Sequence, residues 1–478
     1  MSTPTAKGLS DPRKAQAFRF ISADYDAATA TASLRYAFDN DAVMTERIVF
    51  PAAPVLPRER EGAFAAALQL LHLVAGVSYY KAGVPPAMRF ESNAPEVATL
   101  ALLHEVYLHG LGEFAFHNKL DLRARLAFLQ HAPDGSPLRR RVRRSNFSEP
   151  AVEPDAPYAD TDVAPRLNLP RRTLLPIGGG KDSLVSVEMC KSINEPATAV
   201  WVGDSALIAA CAARTGLPLL NIKRTLAPEL FEYNRAGAWN GHVPVTAINS
   251  AILLCAAILY GYDAIAFSNE RSASSATLEY DGQEVNHQWS KGIDFERELR
   301  EYTKSHIAAD LDYFSLLRPW SELAVASAFA KSAQYDDAFS SCNRNFRILG
   351  ARPADRWCGE CPKCHFVFLA LAPFVSKPRL LRIFGRNLLD DAALAPGFDA
   401  LLEYREHKPF ECVGEGRESR AAFAALTQRA EWREDALVAR YAREIAPQLD
   451  ARELGLDVLL TPSNEHFLPA RFALLSHA

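Results

Sequence analysis

The sequence contains no uninterrupted apolar run long enough to cross a membrane as a helix. The longest runs, such as Ala251 to Leu259, fall well short of the roughly 18 residues that a spanning helix needs. The opening segment MSTPTAKGLSDPRK is polar, unlike the apolar centre of a signal peptide. These features predict a soluble cytoplasmic protein without a membrane partner.

The sequence also has no surplus of basic residues. It carries 53 Lys and Arg against 57 Asp and Glu, which gives a formal net charge of −4. This balance provides no general attraction to nucleic acid, so we expect no nucleic-acid partner. One basic cluster, RRRVRR at residues 139–144, is more typical of a solvated surface, although it keeps a nucleic-acid-binding protein as an alternative.

A disulfide framework is absent as well. Of the eight cysteines, four are concentrated between Cys342 and Cys364. Cys190, Cys211 and Cys255 lie in apolar helical contexts and are expected to be core thiols. This distribution favours a metal site in a reducing compartment.

What the chain does have is length and apolar content. Its 478 residues, 49% of them hydrophobic, allow several domains with real cores. Aromatic and β-branched segments between Phe18 and Phe50, followed by helical patterns, predict an N-terminal α+β module. A Pro-rich, acidic stretch then indicates a linker. We predict four segments: an α+β module at 1–148, a linker at 149–168, a catalytic domain at 169–340, and a metal site with a helical C-terminal region at 341–478.

Residues 173–192, TLLPIGGGKDSLVSVEMCKS, combine a short apolar strand, three glycines and the start of a helix. Glycines let the loop backbone approach a ligand closely, and the free N–H groups at the start of the helix favour an anion such as phosphate. The spacing fits neither the Walker pattern nor the Rossmann fingerprint. A simple glycine-rich turn capped by Asp182 or Ser183 is the alternative interpretation.

From this loop onward, predicted strands and helices alternate. The alternation predicts an α/β fold with a doubly wound parallel sheet and right-handed crossovers. Ligands bind such sheets beyond the carboxyl ends of the strands. Besides the glycine loop, the polar residues predicted to meet there are Asp204, Arg224, Glu270 and Arg271.

The polar segment 280–292 contains His287 and Lys291. It is a candidate lid over the site. His287 is a candidate proton donor or acceptor because neutral imidazole is available near physiological pH. For a single loop histidine, a surface hydrogen-bonding role is the simpler interpretation.

Three cysteines recur at regular spacing in the motif Cys358-Gly-Glu-Cys361-Pro-Lys-Cys364, and Cys342 lies upstream. Four thiolates suit tetrahedral Zn²⁺, and four protein ligands leave no open position for catalysis. We therefore expect a structural zinc site, with His365 as the alternative fourth ligand. An iron–sulfur cluster uses the same ligands and stays open.

The glycine loop resembles the pyrophosphate loop of the PP-loop ATP pyrophosphatases, Ser-Gly-Gly-x-Asp-Ser, with Gly178 in place of the usual serine. Those enzymes split ATP between its α- and β-phosphates to adenylate a substrate. The resemblance implies a core like that of the adenine nucleotide alpha hydrolases, with Asp182 helping to bind Mg²⁺. The residues expected to bind ATP are Gly178, Gly179, Gly180, Lys181, Asp182, Ser183 and Asp204.

The motifs LPIGGGKDS, NHQWSK, CGECPKC and HKPFECVGE together resemble the MurL family of UDP-N-acetylmuramoyl-L-alanyl-L-glutamate epimerases. This resemblance implies an ATP- and Mg²⁺-dependent inversion of the terminal L-glutamate of UDP-MurNAc-L-Ala-L-Glu in peptidoglycan precursor synthesis. An acyl-adenylate would make the α-proton removable because the carbonyl can take the developing charge as an enolate. The candidate proton-transfer groups are Glu270, His287, Cys412 and Lys291, and the candidate ligands of substrate carboxylates are Arg224 and Arg271.

Two alternatives stay open. The adenylating core could serve a different acceptor, in amidation, nitrile formation or nucleobase thiolation. A zinc-containing nucleic-acid-binding protein would instead use the RRRVRR cluster and the cysteine motif. The sequence does not predict an oligomeric state.

Overall fold

The computed structural model describes residues 9–126 and 164–477, except 93, 281, 348–350, 451 and 453. The strands are β1 (Ala17–Asp26), β2 (Thr31–Phe38), β3 (Met44–Val49), β4 (Ala87–Phe90), β5 (Thr173–Pro176), β6 (Ala197–Val202), β7 (Leu219–Thr225), β8 (Ala264–Phe267), β9 (Leu278–Tyr280), β10 (Gln283–Val285) and β11 (Asp312–Ser315). The α-helices are α1 (Glu61–Ala75), α2 (Val77–Tyr80), α3 (Val97–Gly110), α4 (Gly112–Asn118), α5 (Leu122–Arg125), α6 (Lys181–Ser192), α7 (Ala206–Ala213), α8 (Pro228–Arg235), α9 (Val245–Tyr260), α10 (Ile293–Tyr302), α11 (Glu322–Phe329), α12 (Pro362–Leu371), α13 (Lys377–Phe384), α14 (Ala395–Leu402), α15 (Gly416–Thr427), α16 (Ala436–Arg440) and α17 (Leu456–Leu460).

One nine-stranded sheet organises the described part of the chain. Its order is β11-β8-β5-β6-β7-β3-β2-β1-β4, and β9 with β10 forms a separate hairpin. Strands β5, β6, β7, β8 and β11 pair in parallel, whereas β1, β2 and β3 pair antiparallel. The fold is therefore α/β, as the alternation predicts. The expectation of a doubly wound parallel sheet holds for the five strands at the β11 end, whereas beyond β7 the same sheet continues antiparallel through β3, β2 and β1.

The parallel strands define where a ligand can bind. Numbered along the chain, β5, β6, β7, β8 and β11 lie in the spatial order 3-2-1-4-5. The order reverses between β5 and β8, and in open α/β sheets ligands bind beyond the carboxyl ends of the strands at such a reversal. The glycine loop follows β5 directly, and Glu270 follows β8.

Side-chain alternation along the strands builds a core on each face of the sheet. Leu174 packs into the core that contains α1 and α9, and its neighbour Leu175 packs into the core that contains α6, α11 and α12. Successive side chains of a strand point to opposite faces, so a strand buried on both sides is apolar throughout. This explains why the strand before the glycine loop shows no polar alternation.

Among the described residues, one helical stretch, Arg58–Tyr80, is long and apolar enough to cross a membrane by length and composition alone. Inside the protein, 78% of its most apolar window is buried. Helix α1, which makes up most of this stretch, packs against α9. Packing in the core accounts for its apolar character.

The sheet continues from the predicted N-terminal module at 1–148 into the predicted catalytic domain at 169–340. Strand β3 pairs with β7 through Arg47 to Val49. At this junction Arg224 Nε lies 2.7 Å from Glu46 Oε1, and both side chains are largely shielded from solvent. The RRRVRR cluster and most of the predicted linker lie in 127–163, outside the described residues.

Candidate active site

The glycine loop forms a tight junction between β5 and α6. Gly179 has φ +83°, a left-handed conformation that favours glycine, and Gly180 is the extended residue before the helix. A Cβ atom added at Gly180 would lie 2.5 Å from Ser341 Oγ, whereas one at Gly178 would meet nothing within 4 Å. The loop backbone is therefore closely covered at Gly180 and open at Gly178.

Lys181 lies buried at the start of α6 and contacts two carboxylates, those of Asp182 and Glu322. Burial alone would lower the pKa of Lys181, but the two carboxylates outweigh it and raise the pKa. Glu322 begins α11, so this ammonium joins the glycine loop to the next helix. The contacts hold Asp182 beside the loop backbone, where an anion would bind.

Glu270 is buried beyond the carboxyl end of β8. Its Oε1 atom has no hydrogen-bond partner among the described residues. Burial, followed by repulsion from Glu322 and Asp182, raises the pKa of Glu270 to about 8. At neutral pH Glu270 is a protonated acid that can donate a proton.

Cys412 has the opposite character. Lys291 Nζ donates a hydrogen bond to Cys412 Sγ at 3.1 Å, and His287 lies close enough to interact with the same thiol. Burial would raise the pKa of Cys412, but the adjacent cations Lys291 and His287 outweigh it and lower the pKa to about 5. Cys412 is therefore a thiolate at neutral pH.

His287 has a second partner that the sequence does not predict. Its Nδ1 atom contacts Glu113 Oε2, and His242 Nδ1 lies 3.6 Å from that same oxygen. Burial would lower the pKa of His287, but contacts with Cys412 and Glu113 raise it to about 9. Burial and the neighbouring His287 lower the pKa of His242 to about 4. At neutral pH His287 is a cation and His242 is neutral.

Lys363 connects these groups to the cysteine motif. Its Nζ atom lies 3.6 Å from Glu322 Oε1 and donates a hydrogen bond to the Cys412 carbonyl. Its backbone N–H donates to Glu411 Oε2 at 3.1 Å. Because Lys363 stands within the CGECPKC motif, the fold of that motif also places a cation in the candidate site.

The three motif cysteines and Cys342 converge. The Sγ atoms of Cys342, Cys358, Cys361 and Cys364 all lie within 4.8 Å of one another. The Cys361–Cys364 and Cys358–Cys364 separations are 3.5 and 3.7 Å. A tetrahedron with Zn–S bonds of about 2.3 Å has edges of about 3.8 Å, so the donor set fits zinc.

The alternative ligand His365 does not join this group. Its ring stacks on Phe398 with centroids 4.9 Å apart. Both of its ring nitrogens are buried and have no hydrogen-bond partner among the described residues.

The structure brings together five of the sequence-predicted residues, namely Asp182, Glu270, His287, Lys291 and Cys412, which interact electrostatically within one cluster. Three others lie apart. Arg224 pairs with Glu46, and Asp204 pairs with Lys223 at the surface. The Arg271 guanidinium lies 3.4 Å from the Thr461 carbonyl.

Sequence reasoning missed Glu113, His242, Glu322 and Lys363. Lys363 carried a signal, since it stands inside the CGECPKC motif. The other three have no pattern around them that distinguishes them from surface residues. Only the packing of α4, α11 and the loop before α9 shows that they reach the site.

Comparison with known proteins covers nearly the whole chain. The family model for the MurL N-terminal domain matches residues 9–316, and that for the MurL C-terminal domain matches residues 338–454. A UDP-N-acetyl-alpha-D-muramoyl-L-alanyl-L-glutamate epimerase of Xanthomonas oryzae pv. oryzae is 54% identical over 460 residues, which cover 96% of each chain.

Two more distant relatives carry the same name. The protein from Salinispora tropica is 40% identical over 465 residues, which cover 96% of this chain and 95% of the relative. The protein from a Micromonospora strain is 39% identical over 465 residues, which cover 96% of this chain and 98% of the relative. The residues named for the candidate site fall within the matched family domains, except Glu322, which lies between the two matched ranges.

Proposed function

Because the chain belongs to the MurL family, we propose that it inverts the terminal L-glutamate of UDP-MurNAc-L-Ala-L-Glu to D-glutamate. The names of its relatives support this substrate and reaction. The reaction would supply D-glutamate within a peptidoglycan precursor.

We propose that ATP is the co-substrate and that the glutamate carboxylate is adenylated. The glycine loop at the strand-order reversal would cradle the phosphates, with pyrophosphate as the leaving group. Asp182, a quarter exposed, would hold Mg²⁺, which would supply positive charge to neutralise the phosphates. Adenylation neutralises the carboxylate, so the α-proton becomes acidic enough to remove.

The proton transfers would use two groups in opposite protonation states. Cys412 is a thiolate and Glu270 is a neutral acid over the same pH range. Inversion requires one group to remove the α-proton and another to deliver a proton to the opposite face, so such a pair matches the task. Lys291 interacts with both groups and would stabilise the charge that develops on the carbonyl oxygen.

The single observation that carries this proposal is the strand order, in which the glycine loop follows β5 and Glu270 follows β8 on either side of the reversal, so that the Asp182 charge acts on Glu270. Lys291, which is hydrogen-bonded to Cys412 and interacts with Glu270, links the second proton-transfer group to this position. A loop that would activate a carboxylate and groups that would move a proton would thus act on one substrate. Water would finally hydrolyse the adenylate and release AMP.

The direct test is incubation of the protein with ATP, Mg²⁺ and UDP-MurNAc-L-Ala-L-Glu in D₂O. We expect AMP, one deuterium at the glutamate α-carbon, and D-glutamate after acid hydrolysis. AMP without exchange would instead favour an adenylating enzyme with another acceptor. Salt-dependent oligonucleotide binding without ATP turnover would favour the nucleic-acid-binding alternative.

We further propose that the four cysteines hold a structural Zn²⁺. Their sulfur separations fit a tetrahedral site, and four protein ligands leave no position for substrate. The metal would fix the turn that carries Lys363 into the candidate site.

A further inference from the structure

The contact between Glu113 and His287 joins the N-terminal part of the chain to the proton-transfer groups. Glu113 belongs to α4, whereas His287 lies in the loop after β10, and Cys412 lies before α15. The Glu113 and His287 side chains are each only 13% exposed, and they are in direct contact. His287 in turn lies beside Cys412 and interacts with its thiol. A carboxylate, an imidazole and a thiol thus form a continuous chain.

We propose that Glu113 is a positioning residue that holds His287 as a cation against Cys412 and so keeps Cys412 a thiolate base. This inference rests on the proposed function, because it assigns the α-proton to Cys412. It also gives the N-terminal part of the chain a role in the reaction. Among the described contacts Glu113 has no hydrogen bond or ion pair with Cys412, so it would act through His287.

The physical reason is the cost of burying an unpaired cation. A shielded imidazole favours its neutral form unless an anion lies beside it. Without the Glu113 carboxylate, only the Cys412 thiolate would balance the charge of His287. The pair of imidazolium and thiolate would then be less stable relative to the neutral imidazole and thiol. Orientation of a histidine by a buried carboxylate is the general arrangement that activates a thiol or hydroxyl.

The charged surroundings of both groups are consistent with this assignment. The titratable or charged groups around Cys412 are Lys291, His287, Lys363 and Glu411. Among the described residues, the charged or titratable groups that contact Glu113 are three histidines, namely His117, His242 and His287. Glu113 therefore has no lysine or arginine partner there that would compete with His287.

Glu113, His242 and His287 also have the composition of a divalent metal site, with ligand atoms within 4.8 Å of one another. A metal bound there would need neutral His287, whereas the contacts with Glu113 and Cys412 favour the cation. Metal binding is therefore an outcome that the experiment must distinguish.

The experiment compares Glu113→Gln with Glu113→Asp and with the control Glu91→Gln, which alters a carboxylate paired with Arg19 on β1. The pH dependence of iodoacetamide alkylation at Cys412 is followed by peptide mass spectrometry. We expect the alkylation midpoint to move up by at least about one pH unit in Glu113→Gln, less in Glu113→Asp, and not at all in Glu91→Gln.

The same variants are assayed for AMP release and α-deuterium incorporation. We expect Glu113→Gln to lose roughly 10²-fold in deuterium incorporation while AMP release persists. If Glu113→Gln does not fold, the alkylation midpoint of Glu113→Asp tests the inference instead. An unchanged midpoint in the folded variant would overturn the inference, as would loss of one bound metal equivalent from Glu113→Gln. Absence of AMP and exchange in the unmodified protein would instead overturn the proposed function.

Discussion

At the scale of single residues, the candidate site separates two ionisable groups by their surroundings. Glu270 lies among carboxylates and has a buried oxygen without a hydrogen-bond partner among the described residues, so its proton is retained. Cys412 lies beside Lys291 and His287, so its proton is lost. Opposite environments within one cluster are how a protein keeps an acid and a base ready at the same pH.

The rate of α-proton exchange should follow a bell-shaped pH profile. It should fall as the pH drops through about 5, where Cys412 takes up its proton. It should fall again as the pH rises through about 8, where Glu270 loses its proton. The measurement is α-deuterium incorporation from about pH 4 to about pH 10. Exchange that is flat across both pKa values would contradict the assignment of Cys412 and Glu270.

At the scale of elements, the glycine loop works through its backbone. Gly179 requires a left-handed conformation, and Gly180 lies against Ser341. Gly178, where related loops have serine, faces open space. The three glycines therefore differ in what they permit, although the sequence presents them as equivalent.

Gly180→Ala should impair AMP formation, whereas Gly178→Ala should be tolerated sterically. The added methyl of Gly180→Ala would lie 2.5 Å from Ser341 Oγ, so either this hydroxyl rotates away or the loop shifts. A shift of a phosphate-binding loop is expected to reduce the rate of AMP formation by roughly 10²-fold. Initial rates of AMP release by the two variants provide the measurement. Equal rates in the two variants would show that the close contact between Gly180 and Ser341 does not matter for AMP formation.

The cysteine motif is the second element with a defined role. It begins helix α12 and carries Lys363 toward Glu322 and the Cys412 carbonyl. A metal-bound turn would fix this lysine more firmly than the loop alone could.

Cys361→Ala should remove about one metal equivalent per chain and lower the unfolding temperature, because three remaining thiolates do not complete a tetrahedral site. The control is Cys190→Ala, which removes a buried thiol of α6 outside the cluster. Elemental analysis and thermal unfolding are the measurements. Equal metal content in the two variants would contradict the zinc site, and iron with sulfide would indicate a cluster instead.

At the scale of the whole molecule, the candidate site is assembled from parts of the chain that are far apart in sequence. The N-terminal strands pair with the parallel strands at β3 and β7. This pairing and the Glu46–Arg224 ion pair hold the two parts together, and α4 brings Glu113 to His287. The N-terminal part is thus continuous with the catalytic sheet.

Glu46→Ala should destabilise the protein by about 3–5 kcal/mol, because it leaves Arg224 buried without its counter-charge. The double variant Glu46→Leu with Arg224→Met should recover most of this loss, since an apolar pair of similar volume avoids burying a charge. Denaturant unfolding measures both effects. The double variant should also keep the KM for the sugar-nucleotide substrate, and a large rise in KM would favour the predicted role of Arg224 in substrate binding.

Much of this architecture follows from the sequence, because local patterns determine it. The apolar strand, glycine loop and helix predicted over residues 173–192 correspond to β5, the loop and α6. Strand β11 was not predicted, because its four residues and the two leucines after them do not show a clear alternation of polar and apolar side chains. The pairing of β3 with β7 was also not predicted, because it joins residues far apart in the chain.

The candidate site likewise contains residues that the sequence predicts and residues that only the structure shows. Glu270 and Cys412 stand in motifs that the sequence reveals, and the structure places them in one cluster. Glu113 and Glu322 became visible only through tertiary contacts, because neither helix that carries them has a distinguishing pattern. Motifs thus predict which residues matter, whereas their partners depend on packing.

The central claim is that carboxylate activation precedes proton transfer and uses different residues. The decisive measurement follows AMP release and α-deuterium incorporation together, in D₂O, for the unmodified protein, Asp182→Ala and Cys412→Ala. We predict both signals in the unmodified protein, neither in Asp182→Ala, and AMP with at least about 10²-fold less deuterium in Cys412→Ala. Full ATP-dependent inversion by Asp182→Ala, or unchanged exchange by Cys412→Ala, would contradict the account.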